Sequence, residues 1–212
     1  MRIRFWGTRG SIPTPGQRTV RYGGNTACVE VRDASNALLV LDAGTGLREL
    51  GLSLEHGGPL RVDLLLSHLH WDHIQGIPFF RPAYDPKSTL RIHGPAQHCP
   101  LREMLGLGMD DPFFPVDLDG LPVQLEVHDM KSEEQRRVGP YDVRATPDRP
   151  PRRGTRARAS PSDRPVGSGA GARPLPSQGV RRAFSARMSS ASSLPPGISV
   201  QTWSPARTSW AQ

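Results

Sequence analysis

Six consecutive positions of the 212-residue chain concentrate its chemistry. His68-Leu-His-Trp-Asp-His73 places three imidazoles and one carboxylate side by side. Imidazole nitrogen and carboxylate oxygen are both ligands for Zn²⁺-like ions, each roughly 2.0–2.2 Å from the metal. The apolar run Val62-Asp-Leu-Leu-Leu-Ser67 just ahead reads as a buried strand, so the histidines follow a strand's C-terminal end. In a tight turn after a strand, side chains two apart can converge, so His68 and His70 can share one metal. Asp72 and His73, opening the next helix, can point to a neighbouring one. Two metals roughly 3.5–4 Å apart can hold a bridging hydroxide and steady the leaving oxygen of a phosphoester. The competing reading is an N-cap aspartate beside three incidental histidines.

The elements that must carry these residues alternate between strand and helix. Ile3 and Phe5 alternate with Arg2 and Arg4, and Trp6 leads into Gly7-Thr-Arg-Gly-Ser-Ile-Pro13. Ala27, Val29 and Val31 alternate with Cys28, Glu30 and Arg32, as in a half-buried strand. Ala37-Leu-Leu-Val-Leu-Asp42 is nearly all apolar, as in a strand covered on both faces. Leu47, Leu50, Gly51 and Leu54 repeat at helical spacing, and Gly57-Gly58-Pro59 ends that helix. Further strands are expected at Leu90–His93 and Val123–His128, another begins at Tyr141–Arg144, and a helix is expected near Gln97–Leu107. This alternation predicts an α/β layered domain.

The segment Ser67-His-Leu-His-Trp-Asp-His73 resembles the signature of the metallo-β-lactamase-fold hydrolases. Phe5-Trp-Gly-Thr-Arg-Gly-Ser-Ile-Pro13, Tyr22-Gly-Gly-Asn-Thr-Ala-Cys28, Leu41-Asp-Ala-Gly-Thr-Gly46 and Gly76-Ile-Pro-Phe-Phe80 are similar to its phosphodiesterase branch, which includes ribonuclease Z-like proteins and cyclic-phosphate phosphodiesterases. The resemblance covers residues 1–145 and implies the N-terminal portion of an αββα sandwich. It also implies two divalent metal ions, zinc first with manganese or iron as alternatives. The implied reaction is hydrolysis of a phosphodiester, either a cyclic nucleotide, a cyclic ribose phosphate or RNA, through a metal-bound hydroxide. Carried over by motif, His68 and His70 hold the first metal and Asp72 and His73 the second. Asp72 also stands as general base toward the bridging water. Asp42 would orient a ligand histidine or serve only as a turn former, and Asn25 and Thr26 would shape the loop beside the site. His56, His93, His98 and His128 lack ligand spacing and are expected to be satisfied or exposed.

The family pattern continues with a third first-site histidine in a His-Pro-Gly-Gly-like segment, a bridging aspartate and a late histidine. All seven histidines here lie at or before His128, so four ligands of about seven are present and loose metal binding is expected. Charge divides at the same place. Residues 1–144 hold 16 Lys+Arg and 18 Asp+Glu, a net of −2; residues 145–212 hold 11 Arg, no Lys and two Asp, a net of +9. Arg, Pro, Ser, Ala and Gly make up 49 of those 68 residues, which is what GC-rich codons yield out of frame. One permitted coding of Asp148-Arg-Pro-Pro-Arg-Arg-Gly-Thr-Arg156, shifted by a base, reads Thr-Asp-His-Pro-Gly-Gly-Ala-Leu-Gly. Residues 146–212 are therefore expected to be disordered or the product of a frameshift, and the chain an inactive fragment if the ligands are truly lost. A genuine basic tail binding nucleic acid is the other account, and the absence of lysine disfavours it.

The remaining composition excludes several classes. The longest apolar stretch is about six residues, far short of the roughly 20 that a membrane span needs. No secretory signal is readable at the N-terminus, and Cys28 and Cys99 have neither metal-finger nor scaffold spacing, as expected for a cytoplasmic protein. Without the second half of a sandwich, strands at 27–31, 37–42 and 62–67 are expected to expose apolar surface and an edge, favouring poor solubility or homo-oligomers. Resequencing codons 140–212 and translating every frame separates the two accounts of the tail. A one-base shift that restores a His-Pro-Gly-Gly segment, an aspartate and a final histidine supports the frameshift, and no such frame leaves the tail genuine.

Overall fold

The first sheet grows from an antiparallel edge into a parallel interior. In the computed structural model, residues 1–54, 58–96, 99–147, 184–190 and 198–200 are described. Strand β1 (Arg2–Gly7) pairs antiparallel with β2 (Cys28–Arg32), and β2 pairs antiparallel with β3 (Leu38–Leu41). Strands β4 (Arg61–Leu65), β5 (Thr89–Pro95) and β6 (Gln124–Met130) then add in parallel, giving the order β1-β2-β3-β4-β5-β6. Parallel neighbours need crossover connections. Helix α1 (Gly46–Ser53) and helix α3 (Leu101–Gly106) lie in two of these crossovers, and the single helical turn α2 (Trp71–Ile74) follows β4.

Because side chains alternate across a strand, the sheet has two differently used faces. On the outer face Val40, Val62, Leu64, Leu90 and Ile92 are buried with Leu47 and Leu50 of α1 and Leu101 and Leu105 of α3. On the inner face Val31, Leu39, Leu41 and Leu65 pack against Val138, Tyr141, Val143 and Ala145. These last residues belong to the antiparallel hairpin β7 (Gln135–Val138) and β8 (Tyr141–Pro147). Two further strands, β9 (Phe184–Ser190) and β10 (Ile198–Val200), extend the second sheet in the order β10-β9-β8-β7. The Tyr141 hydroxyl donates to the Ala37 carbonyl at 3.0 Å, tying the second sheet to the start of β3.

The structure bears on four expectations. The strands at 27–31, 37–42 and 62–67 are interior strands, and β2 and β3 are covered on the inner face by the β7–β8 hairpin, which the sequence reading did not place. The boundary drawn at residue 145 falls inside β8. No regular structure was anticipated beyond Ala145, yet β9 pairs with β8 along the whole of Tyr141–Pro147; the rest of 148–212, apart from β10, lies outside the described residues. The helix expected from Gln97 begins at Leu101, with Gln97 and His98 outside the described residues.

The inner face changes character toward β6. Asp63, Arg91, His93, Glu126 and His128 occupy its β4–β6 half in two cross-strand rows. Arg91 donates to Asp63 Oδ2 at 2.7 Å, and His93 Nε2 lies 3.3 Å from Asp63 Oδ1. His93 is buried and stacked on the more exposed His128, whose Nε2 lies 3.3 Å from Glu126. Removing one member of a buried ion pair leaves the other uncompensated. Asp63→Ala is therefore expected to destabilise the fold by about 2–3 kcal/mol in urea unfolding. Asp63→Leu combined with Arg91→Met should recover most of that loss, because both charges then leave together.

Candidate metal centre

The site forms where β3 and β4 end side by side. Leu41 pairs with Leu65 in parallel register, and the Asp42 amide donates to the Leu65 carbonyl at 2.9 Å. Asp42 turns there with φ 61°, a left-handed conformation that aspartate tolerates better than most residues. Its carboxylate accepts from the Ser67 amide at 2.8 Å and from Ser67 Oγ at 2.8 Å. A carboxylate can only accept, so the Ser67 hydroxyl hydrogen goes to Asp42 and Oγ must accept from His68 Nδ1, 3.0 Å away. This network assigns His68 the Nδ1–H tautomer, so its Nε2 accepts from His70 Nδ1 at 2.9 Å.

The second pair is built the same way. His73 Nδ1 lies 2.9 Å from Asp42 Oδ2, off-line for a hydrogen bond and therefore an electrostatic contact. His73 Nε2 faces Asp72 Oδ2 at 3.4 Å, and that oxygen also accepts the Ser11 amide at 2.7 Å. The imidazoles crowd together, with ring centroids 4.3 Å apart for His68–His70 and 4.1 Å for His68–His73. His68, Asp72 and His73 are buried, while His70 and Trp71 stand at the exposed rim. Burial, followed by the neighbouring charges of His73 and His70, pushes the His68 imidazole down to about 4. Burial works against charging His73 as well, but the Asp42 contact and the charges of Asp42 and Asp72 outweigh it and hold that imidazole above its usual value.

Backbone fits against backbone around this cluster. The Ala43 amide donates to the His73 carbonyl and the Gly76 amide to the Ala43 carbonyl, each at 2.7 Å. A Cβ on Gly76 would stand 2.1 Å from the Gly44 oxygen, and one on Gly44 would stand 2.4 Å from the Asp72 oxygen. Neither position has room for a side chain. Thr26 is fully buried and exchanges amide and hydroxyl hydrogen bonds with Thr45 at 2.9 and 2.8 Å. Asn25 accepts the Thr45 hydroxyl at 3.2 Å.

All four residues singled out from the sequence meet here. His93 and His128 sit apart from them, and His56 and His98 lie outside the described residues. Asp42 has both uses considered for it: it forms the turn, and its carboxylate touches His73. Ser67 and Ser11 were given no role, although both stand in motifs quoted for the resemblance. Ser67 carried one readable signal, a hydroxyl directly before the first histidine.

The donor set suits a divalent ion in kind. Imidazole nitrogens and a carboxylate oxygen converge, and buried second partners hold the far side of two rings, the usual support of metal-bound histidine. They converge as two pairs, His68 with His70 and Asp72 with His73. Among the described residues, no group of three or more His, Cys, Asp or Glu side chains is arranged to hold a metal ion.

Residues 21–147 match the sequence profile of the metallo-beta-lactamase superfamily. The chain belongs to that superfamily. Among curated relatives it is 29% identical over 143 residues to a ribonuclease Z of Haloarcula marismortui, covering 65% of this chain and 43% of that protein. A ribonuclease Z of Natronomonas pharaonis is 27% identical over 125 residues, covering 57% of this chain and 38% of the relative. The chain thus spans about two-fifths of the relatives' length. In three dimensions it is similar to the crystal structure of the metallo-beta-lactamase fold protein YhfI from Bacillus subtilis. That match has a TM-score of 0.51 at 14% identity, covering 88% of this chain and 56% of that one. This likeness shows the fold.

Two outcomes are expected of this geometry. Asp42→Ala, which frees Ser67 and His73 together, should weaken zinc binding about 10–100-fold in a titration. In metal-free protein, the His68 value of about 4 lies below the 6.5 of an unperturbed imidazole. Between those values the unfolded chain binds more protons, so stability falls as pH drops through the window. Urea unfolding should show that slope, and His68→Gln should flatten it. His73, shifted upward, contributes in the opposite sense: its stabilisation is present below pH 6.5 and is lost as pH rises through its raised value.

Proposed function

We propose that the protein is a metal-dependent hydrolase of phosphodiesters. The observation that carries the reading is the neutral His68, fixed through Ser67 by Asp42, with its Nε2 lone pair turned toward His70 Nδ1 at 2.9 Å and the ring next to the Asp72–His73 pair. His68 and His70 would hold one divalent ion and Asp72 and His73 a second, zinc being the first choice for imidazole and carboxylate ligands. When bound, such ions supply an activated water and neutralise charge on the phosphoryl group. The chain's own groups keep the His68 ring neutral and oriented, and Asp72 would also accept a proton. Exposed His70 and Trp71 put this chemistry at the surface, open to a polymer such as RNA or to a small cyclic phosphate. The ribonuclease Z relatives favour RNA.

Among the described residues, no helix is long and apolar enough to cross a membrane. The cysteines are free, which suits the reducing cytoplasm.

A second reading, a catalytically inactive relative, is favoured by one specific observation: the ligands stand as two pairs, and no histidine follows His128. Metal content decides between them. The purified full chain, equilibrated with zinc or manganese and then desalted, is expected to retain metal and to cleave bis(p-nitrophenyl) phosphate and a tRNA precursor. His68→Ala and His70→Ala should each reduce cleavage at least about 100-fold, and chelation should abolish it. A folded protein that retains no metal and cleaves neither substrate supports the inactive relative.

A further inference from the structure

The Gly7-Thr-Arg-Gly-Ser-Ile-Pro13 loop is exposed along most of its length, yet its backbone is closely held. The Thr8 and Arg9 amides both donate to the Asn25 carbonyl, at 3.1 and 3.0 Å, and the Thr14 amide donates to the Gly24 carbonyl at 2.9 Å. A Cβ on Gly24 would stand 2.5 Å from the Thr14 oxygen, so the chain leaving the loop is pressed against the Gly24–Asn25 segment. Between these ties the chain passes through Ser11 with φ 72°. A serine held in the left-handed region is uncommon and costs free energy unless its surroundings require it. Here the conformation presents the Ser11 N–H to Asp72 Oδ2 at 2.7 Å, across 61 residues of sequence. An amide donating to a carboxylate is a charge-assisted bond, stronger than a neutral one.

Asp72 is buried, and among the described residues the same carboxylate oxygen also lies 3.4 Å from His73 Nε2. The neighbouring Trp71 is exposed. We propose that the Gly7–Pro13 loop is an anchor for the Asp72 carboxylate, with the Ser11 backbone N–H as its positioning group. The amide holds Oδ2 and so sets the rotamer in which Asp72 faces His73. The hydroxyl of Ser11 takes no part; what matters at this position is a residue that adopts a positive φ and keeps its N–H. This assignment rests on the reading that Asp72 and His73 hold a metal, and it adds a group from the opposite end of the domain to their support.

The test deletes the N–H alone. Ser11→Ala is the matched amide control, and the same position carrying lactic acid replaces only that N–H by an ester oxygen. Ser11→Gly keeps the amide and favours the positive φ. In the metal-free wild type, a scalar coupling across the hydrogen bond, from Ser11 ¹⁵N to the Asp72 side-chain carboxyl carbon, is expected. In zinc titrations of the full chain, the ester should bind about 10–100-fold more weakly than Ser11→Ala. Ser11→Gly should match wild type, and in an Asp72→Ala background the ester and the alanine should be equal. A folded protein without the coupling overturns the anchor, as does an ester that binds zinc as tightly as Ser11→Ala. If the wild type shows the coupling but binds no zinc, the metal reading fails while the hydrogen bond stands, and the anchor then has no metal ligand to position.

Discussion

The Asp42 carboxylate is the constraint on which the rest of the site depends. It stands at the end of β3, in a left-handed turn, and reaches two segments that are not its sequence neighbours. Through Ser67 it sets the tautomer of His68; directly, it sits against His73. One side chain thus governs both imidazoles whose nitrogens face the centre, one from each pair. Removing its charge would loosen Ser67, free the His68 ring and discharge the surroundings of His73 together. The parallel pairing of β3 with β4 is what brings Asp42 and Ser67 into reach, so the sheet's register is part of the site's chemistry.

Much of this was legible in the residues themselves. Three histidines and an aspartate within six positions after an apolar run mark a candidate site, because residues so close in sequence stay close in space. The strands at Cys28–Arg32, Leu38–Leu41 and Arg61–Leu65 announce themselves by alternation or continuous apolarity. What stayed hidden depends on distant partners. The hairpin of Gln135–Val138 and Tyr141–Pro147 carries too few apolar residues to be recognised as the cover of the inner face, and the role of Tyr141 appears only when its hydroxyl meets Ala37. Ser11 acts through its backbone, which no side-chain pattern encodes. The strand at Phe184–Ser190 lies in a segment whose composition reads as featureless, and its pairing with β8 is set by the backbone of its neighbour.

The inner face of the first sheet is divided. Over β2 and β3 it is apolar and covered; over β4 to β6 it carries Asp63, Arg91, His93, Glu126 and His128, paired among themselves. Asp63 and His93 are themselves buried, and the turn of the β7–β8 hairpin reaches this half at Gly139, where an added Cβ would stand 3.3 Å from Asp63 Oδ2, so the buried charges are satisfied by pairing. The row level with Leu65, on the strand that leads to the candidate centre, is His93 and His128, and the Asp63–Arg91 ion pair lies in the row two residues earlier.

The tie between Asp42 and Ser67 also bears on the order of assembly. Those residues lie on adjacent parallel strands joined by a crossover that includes α1, and the loop bearing Ser11 is drawn in from the far end of the chain. Parallel pairing is slow to form because a long connection must close before any contact repays it. Ser11, Asp42 and Ser67 all precede His68 in the chain, yet until β3 and β4 pair the imidazoles have no ordered aspartate behind them. Any ion held at this centre would therefore be a guest of the folded domain and not a nucleus for it.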